Sequence, residues 1–252
     1  MRILLYHRVS DDGDELAVTP TRFREHMHVL AARGYRVLDV PAAYDALVRD
    51  DLSGPTVGLS FDDAFRDVAE NALPVLEELR FTATVFVTTG VADGRVQFGW
   101  YRTQPAVLGL EEIVELDRAG PLGFEAHTVT HPNLLALDER TAHDEIARCK
   151  TELEQRLGRA VTAFAYPTGL FGDRERRLVR EAGFRLAVSC EPGLNVRGTD
   201  PFALHRRQID ARDSLLDFEA KIAGGHDTPL PLRAAYRRLR YGAGTGRPGW
   251  AS

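Results

Sequence analysis

The sequence predicts an α/β fold built around a mostly parallel sheet, and three observations carry that expectation. Apolar runs of strand length alternate with helical patterns from one end of the chain to the other, the signature of repeated β-α units. At 252 residues, 44% hydrophobic and 27% charged, the chain is long enough to bury a sizeable core, and a single barrel-sized domain is the default. Several of the apolar runs also stop abruptly at polar residues, as strands do where they leave a parallel sheet.

Ile3 to His7 reads as the first strand, and Phe23 to Ala32, entered through Pro20 and ended by Gly34, as a helix. A strand from Arg36 to Val40 precedes a short helix over Ala42 to Val48. The turn residues Ser53, Gly54 and Pro55 then lead into a buried strand, Thr56 to Phe61, which halts at Asp62 and Asp63. A helix from about Ala69 to Leu79 precedes Thr82 to Thr88, where β-branched and aromatic residues favour a strand. Residues Gly90 to Gly109 are irregular, hold Trp100 and Tyr101, and form a candidate substrate loop.

Leu110 to Arg118 reads as a helix, Phe124 to His127 as a brief strand, and Glu139 to Leu157 as the longest helix, ended by Gly158. Later strands are expected at Ala163 to Tyr166, Leu186 to Cys190 and Phe202 to Arg206, with a helix over Arg174 to Ala182. That makes at least seven strands. From Thr228 onward there is no acidic residue but five arginines, so 228–252 reads as a basic helix and tail after a domain of residues 1–227.

Charge and composition exclude some classes of partner. With 32 Lys and Arg against 37 Asp and Glu, a formal charge of −5, there is no basic surplus to neutralise phosphates, and nucleic acid is not expected. The opening MRILLYHRVS lacks the pattern of an export signal, and no stretch approaches the roughly 18 apolar residues of a membrane span. Cys149 and Cys190 form no disulfide or metal framework. A cytoplasmic protein without a membrane partner is expected.

In parallel α/β architectures the working residues sit at the carboxyl ends of strands. In VGLSFDDAF, Asp62 and Asp63 follow a buried run directly. Consecutive side chains diverge on extended backbone, so one carboxylate can bind a metal while the other faces a water or substrate. Taken alone, such a pair is more often a solvated strand end or helix cap. In FEAHTVTHPNL, His127 and His131 lie four apart, a spacing that suits one helical turn holding a divalent ion. Adding a carboxylate would leave room for water, as catalytic zinc sites do.

In AFAYPTGLFGD, Pro167 and Gly169 frame a turn in which the Thr168 N–H is a plausible oxyanion donor. In FALHRRQI, alternation sends either His205 or Arg206 inward. His7 ends the first strand and is a further pocket candidate. His26 and His28 read as positions on a surface helix, and Trp100 and Tyr101 as either a sugar platform or core.

These segments resemble, in order and spacing, the motifs of the polysaccharide deacetylase family, the NodB-homology carbohydrate esterases. SFDDAF is similar to the family's TFDDG motif, HTVTH to its histidine pair, FAYPTG to its third motif and Leu204-His205 to its last. LLYHRVS and NALPVLEELRFTATVFVTTG also look like one branch of the family. The resemblance implies a distorted (β/α) barrel of about seven parallel strands. It implies a divalent metal, commonly zinc, held by Asp63, His127 and His131, with Asp62 as general base and the Thr168 N–H on the oxyanion. His205 is then the candidate acid for the leaving amine, and an N-acetylated sugar or glycoside the expected substrate, drawn from cytosolic precursors if no export signal is present.

Two departures stand out. Ala64 replaces the usual glycine of the first motif, where the backbone can require positive φ. Ala165 stands where an arginine often orients the catalytic aspartate, and Arg206 is the candidate substitute, at the cost of turning His205 outward. Hydrolysis of another linear or cyclic amide, or a silent carbohydrate-binding barrel, are the competing expectations.

Overall fold

The computed structural model describes residues 1–52 and 54–225; the expected basic tail 228–252, and with it the boundary at 227, lie outside the described residues. Eight strands make one sheet: β1 (Arg2–Tyr6), β2 (Arg36–Leu38), β3 (Thr56–Phe61), β4 (Ala83–Val87), β5 (Leu122–Ala126), β6 (Ala163–Ala165), β7 (Leu186–Val188) and β8 (Arg207–Gln208). Every pairing among them is parallel, and seven follow the order β8-β1-β3-β4-β5-β6-β7. Strand β2 lies beside the amino-terminal half of β3, through Arg36↔Thr56 to Leu38↔Gly58, while β4 takes the other half through Ser60↔Thr84.

The sheet curls into a ring. Val188 of β7 bridges Leu204, and three residues later Arg207 pairs with Leu4 of β1. The chain from 204 to 208 therefore changes partner halfway, which is why the expected strand Phe202 to Arg206 is reduced to a bridge at Leu204, and the ladder to β1 is made by the two residues that follow it, β8. This is a distorted (β/α) barrel. Strands β3 and β4 are buried along their whole length, as expected where helices and barrel interior cover both faces.

Apart from the single turn Thr89–Ala92, the α-helices among the described residues are α1 (Pro20–Ala32), α2 (Val40–Val48), α3 (Leu73–Leu79), α4 (Leu110–Ala119), α5 (Glu139–Leu157), α6 (Asp173–Glu181) and α7 (Leu215–Ala223). Local signals set their ends: the Thr19 and Asp138 side chains accept N–H groups of Arg22 and Thr141, and Gly158 closes α5 at φ 68°. Helix α5 buries Ala142, Ile146, Cys149 and Leu153, one stripe at helical spacing. The single helix expected over Ala69 to Leu79 is divided, because Val68–Ala72 is wound as a π turn ahead of α3. Pro74 has no N–H for a normal helical bond in the junction.

Helix α1 is less superficial than its sequence suggests. His26 is fully buried, stacked on Phe218 of α7 at 4.0 Å between ring centroids, with its Nδ1 3.1 Å from the Tyr6 hydroxyl. Among the described residues no helix is long and apolar enough to cross a membrane.

Candidate active site

The register of the sheet brings the polar strand exits together. Tyr6 pairs with Phe61, Phe61 with Val85, Val87 with Ala126, Ala126 with Phe164 and Ala165 with Val188. His7, Asp62 and His127 each come one residue after a paired position, so they share the carboxyl rim of the barrel. A cavity of about 350 Å³ opens there, lined among others by His7, Asp62, Asp63, His127, His131 and Thr168.

Asp62 and Asp63 diverge as adjacent side chains must. Asp62 is clamped by Arg206: Nη1 donates to Oδ1 at 2.6 Å and Nη2 to Oδ2 at 2.8 Å. The guanidinium is wholly buried, and its Nε donates to the Ser189 carbonyl at 2.8 Å. Burial alone would raise the Asp62 carboxyl, but the charge of Arg206, the proximity of His127, the hydrogen bonds from Arg206 and the proximity of His7 together outweigh it and hold the group down at about 2.

Asp63 has no such partner, and its Oδ1 is buried without a hydrogen bond. That oxygen lies 3.8 Å from Nε2 of His127 and 3.7 Å from Nε2 of His131. One donor atom from each of the three side chains falls within 4.8 Å of the others. Tetrahedral bonds of about 2.1 Å would set neighbouring donors about 3.4 Å apart, so small side-chain adjustments would close this trio on a divalent cation. Burial, then the Asp62 charge, push the Asp63 carboxyl well above the usual range. An orphaned buried carboxylate of this kind fits a cation site.

Both imidazoles are in the form a metal needs. Burial lowers the pKa of His127 and, further, of His131, so each is neutral near pH 7. His127 Nδ1 sits 2.7 Å from the Ala165 carbonyl; it must donate there, which leaves the Nε2 lone pair facing Asp63. The residue in the place of the family's usual arginine thus contributes its main chain.

The histidine pair meets by a route other than the expected helical turn. Residues 127–131 form an irregular loop in which Thr128 (φ 66°) and His131 (φ 57°) are left-handed. Glu145 of α5 folds it by accepting the Val129 and Thr130 N–H groups at 2.9 Å each. Asp63 (72°), Ala64 (52°) and Thr168 (57°) are left-handed as well. Each such residue costs about 1 kcal/mol or more relative to ordinary backbone, and this clustering at one rim is typical of functional sites. Gly169 is required twice over: its φ is 71°, and a Cβ there would lie 2.5 Å from Cys190 Cβ.

The structure separates His205 from Arg206 as alternation demands. Arg206 faces inward, whereas the His205 ring packs against Gly193 and does not line the cavity. His205 is therefore not placed to donate a proton there. His7 is, since it lines the cavity beside Asp62, Arg206 and His127; burial, first among its influences, lowers it to about 4, so the ring is neutral near pH 7 and must first take up the proton it passes on.

Trp100 also lines the cavity, with its ring against His131 at 4.7 Å, while Tyr101 packs edge-on against Phe65 at 5.9 Å. The sequence reading passed over Cys190, Gln208, Asp210 and Arg212 on the same wall. Cys190 and Gln208 follow or end strands, so the rule that selected Asp62 could have found them.

The family model for polysaccharide deacetylase matches residues 49–187, more than half of the chain. The chain belongs to the polysaccharide deacetylase family. It is 29% identical over 221 residues to YxkH of Bacillus subtilis (strain 168), a protein whose name assigns it to the same family, covering 87% of this chain and 75% of that one. It is 26% identical over 144 residues to a poly-beta-1,6-N-acetyl-D-glucosamine N-deacetylase of Staphylococcus aureus (strain MRSA252), 54% of this chain and 48% of that enzyme, so it matches about half the length of that relative.

Among solved structures this polysaccharide deacetylase family member is similar to Streptococcus pyogenes deacetylase PplD in complex with acetate. The TM-score is 0.77 at 26% identity, with 88% of this chain and 97% of that chain covered. IcaB from Ammonifex degensii gives a TM-score of 0.75 at 25% identity, covering 89% and 96%.

Proposed function

We propose that this chain is a metal-dependent N-deacetylase that hydrolyses the acetamide of an amino-sugar residue, releasing acetate and the free amine. The observation that carries the reading is the pairing, in one cavity, of an ionised, doubly clamped Asp62 with an unpartnered Asp63 facing two neutral imidazoles.

Asp63, His127 and His131 would hold a divalent cation, and zinc suits a donor set of two imidazoles and one carboxylate. Such a cation, when bound, lowers the pKa of a water and polarises a carbonyl. Asp62, kept ionised and fixed by Arg206, takes the proton of the attacking water. The main-chain N–H of Thr168 is the donor for the oxygen that becomes anionic. His7, neutral at rest, takes up the proton that Asp62 lifts from the water and delivers it to the departing amine, the role that His205 is not placed to perform.

Trp100 offers an apolar face beside His131 on which a sugar ring can rest. Among the described residues the wall adds Glu15 and Asp210, and its Arg212 is paired to Glu15 at 3.1 Å. That lining favours an uncharged glycan over a nucleotide sugar. The name of the Staphylococcus aureus relative supports an N-acetylglucosamine polymer as the substrate class.

The test is acetate release by zinc-loaded protein from N-acetylglucosamine oligomers and small N-acetylated glycosides. Release that disappears in Asp62→Asn supports the reading; no release from any of them at full metal occupancy overturns it.

A further inference from the structure

We infer that Asp67, together with Arg8, is a positioning residue that holds His7 at the cavity, an inference that rests on the reading of His7 as proton donor. His7 follows the last residue of β1, and both of its flanks are tied to the one segment that carries Asp62 and Asp63. On the amino side, the Asp62 N–H donates to the Tyr6 carbonyl at 3.0 Å. On the carboxyl side, Asp67 accepts the Val9 N–H through Oδ1 at 2.9 Å and Arg8 Nε through Oδ2 at 2.8 Å. Asn71 adds a third tie, its Nδ2 donating to the Val9 carbonyl at 2.8 Å.

Neither Arg8 nor Asp67 lines the cavity. Arg8 is buried, lies over the Phe65 ring at 5.3 Å, and meets Asp12 at 2.6 Å and Asp14 at 3.3 Å in addition to Asp67. Enclosing such a network is a poor source of stability, because the desolvation of buried charges offsets most of their attraction. What it does secure is direction. Asp67 spans a side chain and a main-chain N–H with its two oxygens, so the backbone at residues 8 and 9 has one orientation relative to Asp62, and the His7 ring between the two ties has one approach to the substrate.

A double-mutant cycle tests this on the zinc-loaded full chain, with acetate release as the assay. Asp67→Ala is expected to lower kcat by about tenfold or more with KM and metal content little changed. Asp67→Asn, which can still accept from the Val9 N–H, should recover part of the loss. In a His7→Ala background, Asp67→Ala should cost less than about twofold further, because residues acting through one another are non-additive. Equal losses in both backgrounds would mean that Asp67 acts elsewhere, and the inference is overturned while His7 as donor stands. If His7→Ala alone leaves kcat unchanged, the donor assignment fails and the inference falls with it. Should Asp67→Ala not fold, Arg8→Lys enters the same cycle with the same criteria.

Discussion

Arg206 and Asp62 form a two-pronged pair across the barrel, 2.6 and 2.8 Å between their donor and acceptor atoms, with both side chains shut off from water. They are 144 residues apart in sequence. Removing the cation leaves a carboxylate buried without its partner, which typically costs about 3–5 kcal/mol. Arg206→Met should therefore lower the urea midpoint substantially and reduce kcat by about a hundredfold or more. Arg206→Lys keeps the charge but loses the fork, and is expected to restore stability better than turnover. Wild-type turnover in Arg206→Met would remove Asp62 from the mechanism.

The two aspartates should separate cleanly. Asp62→Asn is expected to abolish acetate release, by about 10²–10⁴-fold if only general-base catalysis is lost, while zinc content measured by elemental analysis stays near that of the parent. Asp63→Asn should lose the zinc. Because burial and Asp62 disfavour the Asp63 carboxylate, the same Asp63→Asn change should raise the melting temperature of chelator-treated protein and erase the gain expected when zinc is added to the parent. A zinc-dependent gain retained in Asp63→Asn would contradict the assignment.

Gly169→Ala places a Cβ 2.5 Å from Cys190 Cβ and 2.6 Å from its main-chain N at a φ of 71°. The clash is with backbone and cannot be relieved by a rotamer change. A loss of several kcal/mol is expected, at the upper end of ordinary substitutions, and thermal unfolding would register it. A melting temperature within about a degree of the parent would show that the third motif has slack that the structure denies.

His26 gives the fold an acid sensitivity independent of the site. Burial, with smaller contributions from Arg22 and Lys221, lowers its pKa from 6.5 to about 3. The unfolded chain then binds a proton that the folded one refuses between those values, so this group's contribution to stability is present above pH 6.5 and is lost as pH falls towards 3. The slope is at most about 1.4 kcal/mol per pH unit. Urea unfolding at pH 4.5 and 7 should show a difference that shrinks in His26→Gln, a side chain that can still meet the Tyr6 hydroxyl. An unchanged difference would place the sensitivity elsewhere.

The alternation of apolar runs and helical stripes determined the layered β-α order, since burial on both faces of a parallel strand leaves its mark in consecutive residues such as Thr56 to Phe61. The polar stops at Asp62 and His127 were legible for the same reason, because nothing but a strand end tolerates them there. Three things belonged to the tertiary structure alone. The ring closes through Leu204 and Arg207 on different neighbours, so no single ladder was long enough to mark a strand. His127 and His131 converge through left-handed residues fixed by Glu145, a contact across 15 and 16 residues that local spacing does not encode. Whether His205 or Arg206 turns inward to Asp62 is a matter of pleat phase, and phase was set by Leu4 and Val188 across the sheet, far outside the reach of the FALHRRQI segment itself.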